Sequence, residues 1–471
     1  MGSGLSVAGN LAALLNADVC WRCQACMAAC PLVGVLPHYA GPKRLGPDLW
    51  RLQQASSDLR QKAAMGPDLD LCLGCRRCDV ACPAGVEPAR LIALNRLSFS
   101  HRHHKSTAVR DWLLGHPTWL GRLGTTFSRV ANPLLGQAST RALLHHVAGI
   151  SGERRLPPFA PVRFSKLYPA TSPLEVAGKG SPAEKHAVEQ SVERPAGQGE
   201  GEPAGQPVAR VLFFPGCQVE YYEPDLGERV VAALRSLGVE VAVDEPSCCG
   251  LPAIANAWPA VARRQAERNV ERLAAWIEQG FDVVLASSSC GLTIRTDYTG
   301  LGLVREELAE KARLVAEHVF DLGEYLLQLE RRISRATGRR VRVVPKPEGE
   351  IGSETLAYHT PCHTVARGEG RPWLELLRRL PGMRVLDLQA GCCGIAGTYG
   401  LKREKYSVSR EVGEGLRSAL VAAGTPPVAT ECETCRLQIR DLVPGATVAH
   451  PLVLLGRLRW EERAGDPAGG E

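Results

Sequence analysis

The sequence predicts a multidomain α+β protein: a helical, cysteine-rich N-terminal domain followed by two copies of one α/β unit. Three observations carry this. The 17 cysteines of the 471-residue chain fall into two territories, eight between Cys20 and Cys82 and nine between Cys217 and Cys435. After residue 207, strand-like and helix-like runs alternate, as they do where crossover helices join parallel strands. That alternating half also repeats itself.

In the first territory Pro31, Pro37, Pro42, Pro47, Pro83 and Pro88 punctuate short helices and loops, and a helical pattern resumes over Ala89–Leu97. The domain is placed at 1–105, with His101, His103 and His104 read as a solvated basic patch. Residues 106–170 form a helical arm carrying Val109, Trp112, Leu113, Trp119, Leu120, Phe127, Leu134, Leu135, Leu143 and Leu144, with breaks expected at Pro117 and Pro133. Such an arm either packs on its own domains or offers an amphipathic face to a partner or a membrane. Residues 171–207 are rich in Gly, Pro, Glu and Ala and are read as a disordered linker, and 464–471 as a disordered tail.

The first α/β unit is placed at 208–340, with strands at Val208–Phe214, Val239–Val243 and Val283–Ala286 and helices at Gly227–Leu237 and Trp258–Trp276. The second, at 341–463, has strands at Thr355–His359, Arg384–Leu388 and Pro427–Thr430 and helices at Pro372–Leu380 and Lys402–Ala422. FFPGC ending at Cys217 corresponds to YHTPC ending at Cys362, SCCG to GCCG, and Cys290 to Cys435. Thirty and 29 residues separate the first cysteine from the pair in the two copies. Aligning Cys290 with Cys435 also aligns Ile294 with Ile439 and Arg295 with Arg440, the mark of an internal repeat.

Cys20-x2-Cys23-x2-Cys26-x3-Cys30-Pro31 and Cys72-x2-Cys75-x2-Cys78-x3-Cys82-Pro83 have the spacing that holds two [4Fe-4S] clusters in a two-cluster ferredoxin domain. Three thiolates on one tight loop cap three irons of a cube, and the fourth cysteine reaches the other cluster. Cys20, Cys23, Cys26 and Cys82 are therefore assigned to one cluster and Cys72, Cys75, Cys78 and Cys30 to the second. C-x2-C pairs also bind zinc, but not at 2-2-3 spacing before proline, twice over.

A vicinal Cys-Cys-Gly brings both sulfurs to one site only under a cluster or a pair of metals, and Gly250 and Gly394 let the backbone approach. The second copy offers Cys362, Cys392, Cys393, Cys432 and Cys435. The first offers Cys217, Cys248, Cys249 and Cys290, with Ser287 in the place of a fifth. Serine is a poor ligand for a soft site, so the first copy reads as altered or vestigial. His359 and His363 flank Cys362, as ligands, as donors to ligands, or as ordinary packing.

Several classes are excluded. A net charge of +6, scattered along the chain, argues against nucleic acid. No run of about 18 apolar residues suggests a membrane span. The N-terminal residues show no basic stretch, clear apolar run or twin arginine of a leader, and an odd number of cysteines would leave a closed disulfide framework one thiol over. A cytoplasmic, thiol-reducing compartment is expected. No Gly-x-Gly-x-x-Gly follows a strand, so a flavin or nicotinamide site is expected on a partner.

The motifs in combination resemble the heterodisulfide-reductase-like iron–sulfur subunits, and within them the C-subunit family of anaerobic glycerol-3-phosphate dehydrogenase. The matching stretches are YAGPKRLGPD (39–48), CLGCRRCDVACP (72–83), CCGLPAIANA (248–257), SSSC (287–290), YHTPCH (358–363), CCGIAGTYG (392–400) and CETCRLQI (432–439). The resemblance implies an electron-transfer subunit rather than the catalytic one. It would take electrons from a flavin-containing dehydrogenase subunit and deliver them to quinone. It would sit peripherally at the inner face of the cell membrane. It further implies a non-cubane [4Fe-4S] cluster or Zn at the second Cys-Cys-Gly motif. Alternatives are the iron–sulfur subunit of a glycolate- or lactate-type oxidase and an enzyme reducing disulfides at a Cys-Cys-Gly cluster. The missing fifth cysteine at Ser287 argues against the last.

Overall fold

A computed structural model describes residues 17–55, 66–98, 107–171, 207–346 and 353–462. The linker between Thr171 and Pro207, the tail after 463 and the His101, His103, His104 patch lie outside the described residues.

Ten strands are described: β1 Ala209–Phe213, β2 Val239–Val243, β3 Asp282–Leu285, β4 Val319–Asp321, β5 Val341–Lys346, β6 Thr355–Tyr358, β7 Arg384–Asp387, β8 Val428–Ala429, β9 Val448–Ala449 and β10 Arg457–Glu462. The first repeat is a parallel sheet in the order β2-β1-β3-β4, and the second is a parallel sheet in the order β7-β6-β8-β9. Matched copy to copy, the two orders are the same. Val211, Leu212 and Phe213 are all buried, as expected of a strand covered on both faces. The helix Pro224–Ser236 buries Leu226, Val230, Val231 and Leu234 at helical spacing.

In each sheet the chain turns from one side to the other at the central pair, β1/β3 and β6/β8. Ligands of open parallel sheets bind beyond the carboxyl ends of the strands at such a switch. The cysteines follow this rule. Cys217, Cys248–Cys249 and Cys290 come after β1, β2 and β3, and Cys362, Cys392–Cys393 and Cys432–Cys435 after β6, β7 and β8.

The N-terminal domain is wedged between the repeats. The helix Pro88–Ser98 sends Leu91, Leu94 and Leu97 into the core of the first repeat with Cys249 and Ile254. Leu32, Tyr39, Leu45, Leu69 and Ile92 pack instead with Cys392 and Tyr399 of the second.

The sequence reading needs three amendments. Pro117 begins a helix, Pro117–Thr126, but Pro133 sits inside the helix Ser128–Gly136. That helix is at the surface, where a carbonyl left free by proline is open to solvent. The helix expected over Lys402–Ala422 is two, Tyr406–Val412 and Glu414–Ala422. They part at Gly413, where a Cβ would press on the Cys393 carbonyl. Strands β4 and β9 were not foreseen, nor was the antiparallel pairing of β5 with β10 that ties the end of the chain to the start of the second repeat. Among the described residues no helix is long and apolar enough to cross a membrane.

Candidate iron–sulfur and metal centres

The eight N-terminal cysteines gather in two small hollows. One is lined by Cys20, Cys23, Cys26 and Cys82, the other by Cys30, Cys72, Cys75 and Cys78. Each fourth cysteine thus stands with the other motif's three. The loops reach this shape through left-handed residues at matching places: Arg22 and Gln24 in the first motif, Gly74 and Arg76 in the second. Three of these four carry side chains, and such backbone strain persists where the surroundings over-determine it. Gly74 N–H donates to Cys72 Sγ at 3.4 Å.

As free thiols these groups are poorly placed. Burial, with the neighbouring Cys72 and Cys75 adding to it, pushes Cys30 up to about 12. Burial likewise raises Cys26, near Cys20 and Cys82. A cationic centre removes that cost by taking the thiolate form, so the donor sets fit iron–sulfur clusters. Burial works against the charge of Arg76, but Asp297 and Asp79 more than offset it. The Arg76–Asp297 ion pair locks the second motif to the first repeat.

A cavity of about 1040 Å³ lies between this domain and both repeats. Cys75 lines it, together with Cys217, Cys249, Cys290, Cys362, Cys392, Cys393, Cys432 and Cys435. Its wall is largely apolar and extends to Pro117 and Arg155–Pro158 of the arm. In the first repeat the thiols touch in series, Cys217, Cys248, Cys249, Cys290. Cys248, Cys249 and Cys290 are pushed up by donating to neighbouring thiols and by burial; Cys217 accepts from Cys248 yet is still raised by burial. In the second the series is Cys362, Cys392, Cys393, Cys435, Cys432. There Cys393 is lowered by hydrogen bonds from Cys392 and Cys435, and Cys432 is lowered to about 7 by one from Cys435. Cys392 also meets Cys75, so the second hollow and the second repeat adjoin.

The two histidines part company. His363 Nδ1 is 3.1 Å from Ser289 Oγ and its Nε2 3.2 Å from the Gly74 carbonyl, a strut joining three parts of the molecule. His359 is held neutral by burial, down to about 4, and its Nε2 has no hydrogen-bond partner. Its ligand nitrogen and the sulfurs of Cys393 and Cys435 lie within 4.8 Å of one another. Sequence reading missed Glu431, whose carboxyl accepts from Tyr358 at 3.0 Å and Thr364 at 2.6 Å. Burial first, then Asp321, pushes it up to about 8. Its only signal was an acidic residue at the end of an apolar strand.

The arm packs on its own domains. Gly115, Gly121 and Gly124 abut Trp258, Tyr221 and Phe159, and Arg110 pairs with Glu404 at 2.9 Å. The opposite side leaves Trp119, Leu123, Phe127 (62%), Val130, Leu143 and Val147 (75%) exposed.

The 4Fe-4S dicluster domain family matches residues 16–86, and the Cysteine-rich domain family matches 211–295 and 356–440. The C subunit of anaerobic glycerol-3-phosphate dehydrogenase from Escherichia coli (strain K12) is 30% identical over 440 residues, 93% of this chain and 97% of that protein. The glycolate oxidase iron–sulfur subunit of the same organism is 24% identical over 428 residues, 89% of each chain. The B subunit of fumarate reductase (CoM/CoB) from Methanothermobacter marburgensis is 30% identical over 253 residues, 52% of this chain and 45% of that one. Identity at this level along nearly the whole of both proteins is a family relationship, and the chain belongs to the C-subunit family of anaerobic glycerol-3-phosphate dehydrogenase, among the iron–sulfur electron-transfer subunits of oxidoreductases.

Proposed function

We propose that the chain carries electrons from a flavin-dependent dehydrogenase subunit, acting on glycerol 3-phosphate, to quinone at the inner face of the cell membrane. The carrying observation is the crossed gathering of the eight N-terminal cysteines into two four-thiol hollows. Two [4Fe-4S] clusters held there would supply one-electron steps.

The residues order the route. The first hollow reaches the surface at exposed Cys23, and Trp21 (69% exposed) lines it as well; this edge is the side for the dehydrogenase. The second hollow is enclosed by Leu32, Tyr39 and Leu73, which exclude water. Its Cys75 meets the cavity at Cys392. The largely apolar cavity suits a quinone ring, and its wall runs into the arm. The exposed charges on the arm between Thr107 and Ile150 are arginines, Arg122 and Arg129, beside Trp119, Leu123 and Phe127. A basic, apolar face of this kind suits an anionic lipid surface.

The test is a complex reconstituted with the dehydrogenase subunits. Glycerol 3-phosphate should reduce a soluble quinone analogue, and C75A should abolish this while the flavin subunit still reduces an artificial dye. Quinone reduction that survives C75A would contradict the route. Oxidation of glycolate instead of glycerol 3-phosphate would favour the second reading, which the full-length match to a glycolate oxidase subunit supports.

A further inference from the structure

The two N-terminal hollows differ in what surrounds them. The first is open to water: Arg22, Cys23 and Gln24 on its wall are exposed, and Lys43, which also lines it, is paired with Asp48 at 3.0 Å. The second is closed over by Leu32, Tyr39 and Leu73. Reduction adds a negative charge to a cluster, and burial disfavours the more highly charged form. Burial alone would therefore make the second cluster the harder one to reduce, and electrons would stall at the surface.

Charge beside the second hollow opposes this. Arg96 lies on the helix Pro88–Ser98, and its side chain is 10% exposed. Its Nε donates to the Leu69 carbonyl at 3.1 Å and its Nη2 to the Cys72 carbonyl at 2.8 Å. These acceptors are neutral. Among the described residues its one ion-pair partner is Asp70, 3.9 Å away and 67% exposed, a setting in which water screens the pair. The guanidinium charge is thus left standing beside Cys72, where it works against the rise that burial imposes on that thiol. Arg77 acts in the same direction at Cys75, more weakly, against the contact with Cys392 and burial. Arg76, by contrast, is neutralised by Asp79 at 3.2 Å and by Asp297.

We propose that Arg96, with Arg77 as the lesser contributor, holds the reduction potential of the second cluster at or above that of the first, so that electrons entering at the exposed hollow move inward. The inference deepens the proposed function and rests on its reading of the two hollows as cluster sites. A buried positive charge favours the reduced, more negative cluster. The step is a one-electron exchange: the first cluster is oxidised as the second is reduced. No proton is taken up or released at Arg96, whose guanidinium stays charged. The electron then stands at Cys75, which meets Cys392 and the cavity.

The test is a redox titration of the full chain, purified without oxygen and followed by electron paramagnetic resonance. A soluble paramagnetic complex broadens the signal of the surface cluster and so tells the two apart. In the unaltered chain the buried cluster should have the higher or equal midpoint. R96Q should lower the share of the electron on the buried cluster by at least about tenfold, about 59 mV for one electron, and leave the surface cluster in place. R96K keeps the charge but not the fork to the two carbonyls, and should restore most of the midpoint. If R96Q does not hold its clusters, R77Q carries the test and should lower the same midpoint by about threefold. A buried cluster well below the surface one in the unaltered chain, a midpoint unmoved by R96Q (or by R77Q in its stead), or equal shifts in R96Q and R96K would overturn the inference while leaving the cluster reading intact. A chain that takes up no iron would defeat the cluster reading and the inference with it.

Discussion

The two Cys-Cys-Gly repeats have one strand order and place their cysteines beyond the same strand ends, yet they surround different chemistry. The second has five thiols and an imidazole nitrogen without a partner. The first has four thiols, all raised in pKa, and a phenyl ring in the imidazole's place. The serine in the fifth position has been turned to structure. It begins the helix Ser288–Leu292, accepts from Cys290 N–H at 3.5 Å, and donates to Glu433 across the repeat boundary. Topology sets where ligand atoms can gather; one residue just past β1 or β6 and one at a helix start set which ligand atoms gather there.

The largest difference should come from paired serine substitutions. C435S should lose the metal expected at the second motif and lower stability by several kcal/mol, whereas C290S should keep that metal and cost about 1–2 kcal/mol. Metal content and the denaturation midpoint read both, and equal effects would break the comparison. The paired glycines come next. Gly250 and Gly394 have φ of 92° and 90°, so alanine is strained at either. A Cβ at 394 runs into the Ser409 carbonyl, while at 250 its nearest neighbour is the end of the Gln265 side chain at 3.4 Å. G250A should cost about 1–3 kcal/mol and G394A clearly more. S287A removes a helix cap and the bond to Glu433, about 1 kcal/mol, with metal content unchanged.

The smallest effect concerns the ion network between the repeats, where Glu324 and Glu369 share Arg295 and Arg367. Burial first, and Glu324 beside it, hold Glu369 up to about 7 against Arg367. The folded chain therefore binds more protons than the unfolded between pH 4.5 and about 7. That stabilisation is complete below 4.5 and is lost as the pH rises through 7. E369Q should flatten this part of a stability-against-pH curve; an unchanged slope would assign it elsewhere.

Much of this was legible because the signals are local. The 2-2-3 cysteine spacing, the apolar run Val211–Phe213 and the alignment of Cys290 with Cys435 each depend on few residues. What escaped depends on distant partners. Two-residue strands such as β9 have no periodicity to read. The pairing of β5 with β10 joins residues more than a hundred positions apart. His359 and His363 look alike in YHTPCH, and only the fold gives one a Ser289–Gly74 bridge and leaves the other's Nε2 buried without a hydrogen-bond partner. Glu431 is marked by burial alone.

Iron and zinc counted per chain after anaerobic purification test the central claim most directly. The account predicts about eight irons, for two clusters in the crossed hollows. About two zincs in place of iron would contradict it, because the hollows would then be zinc sites.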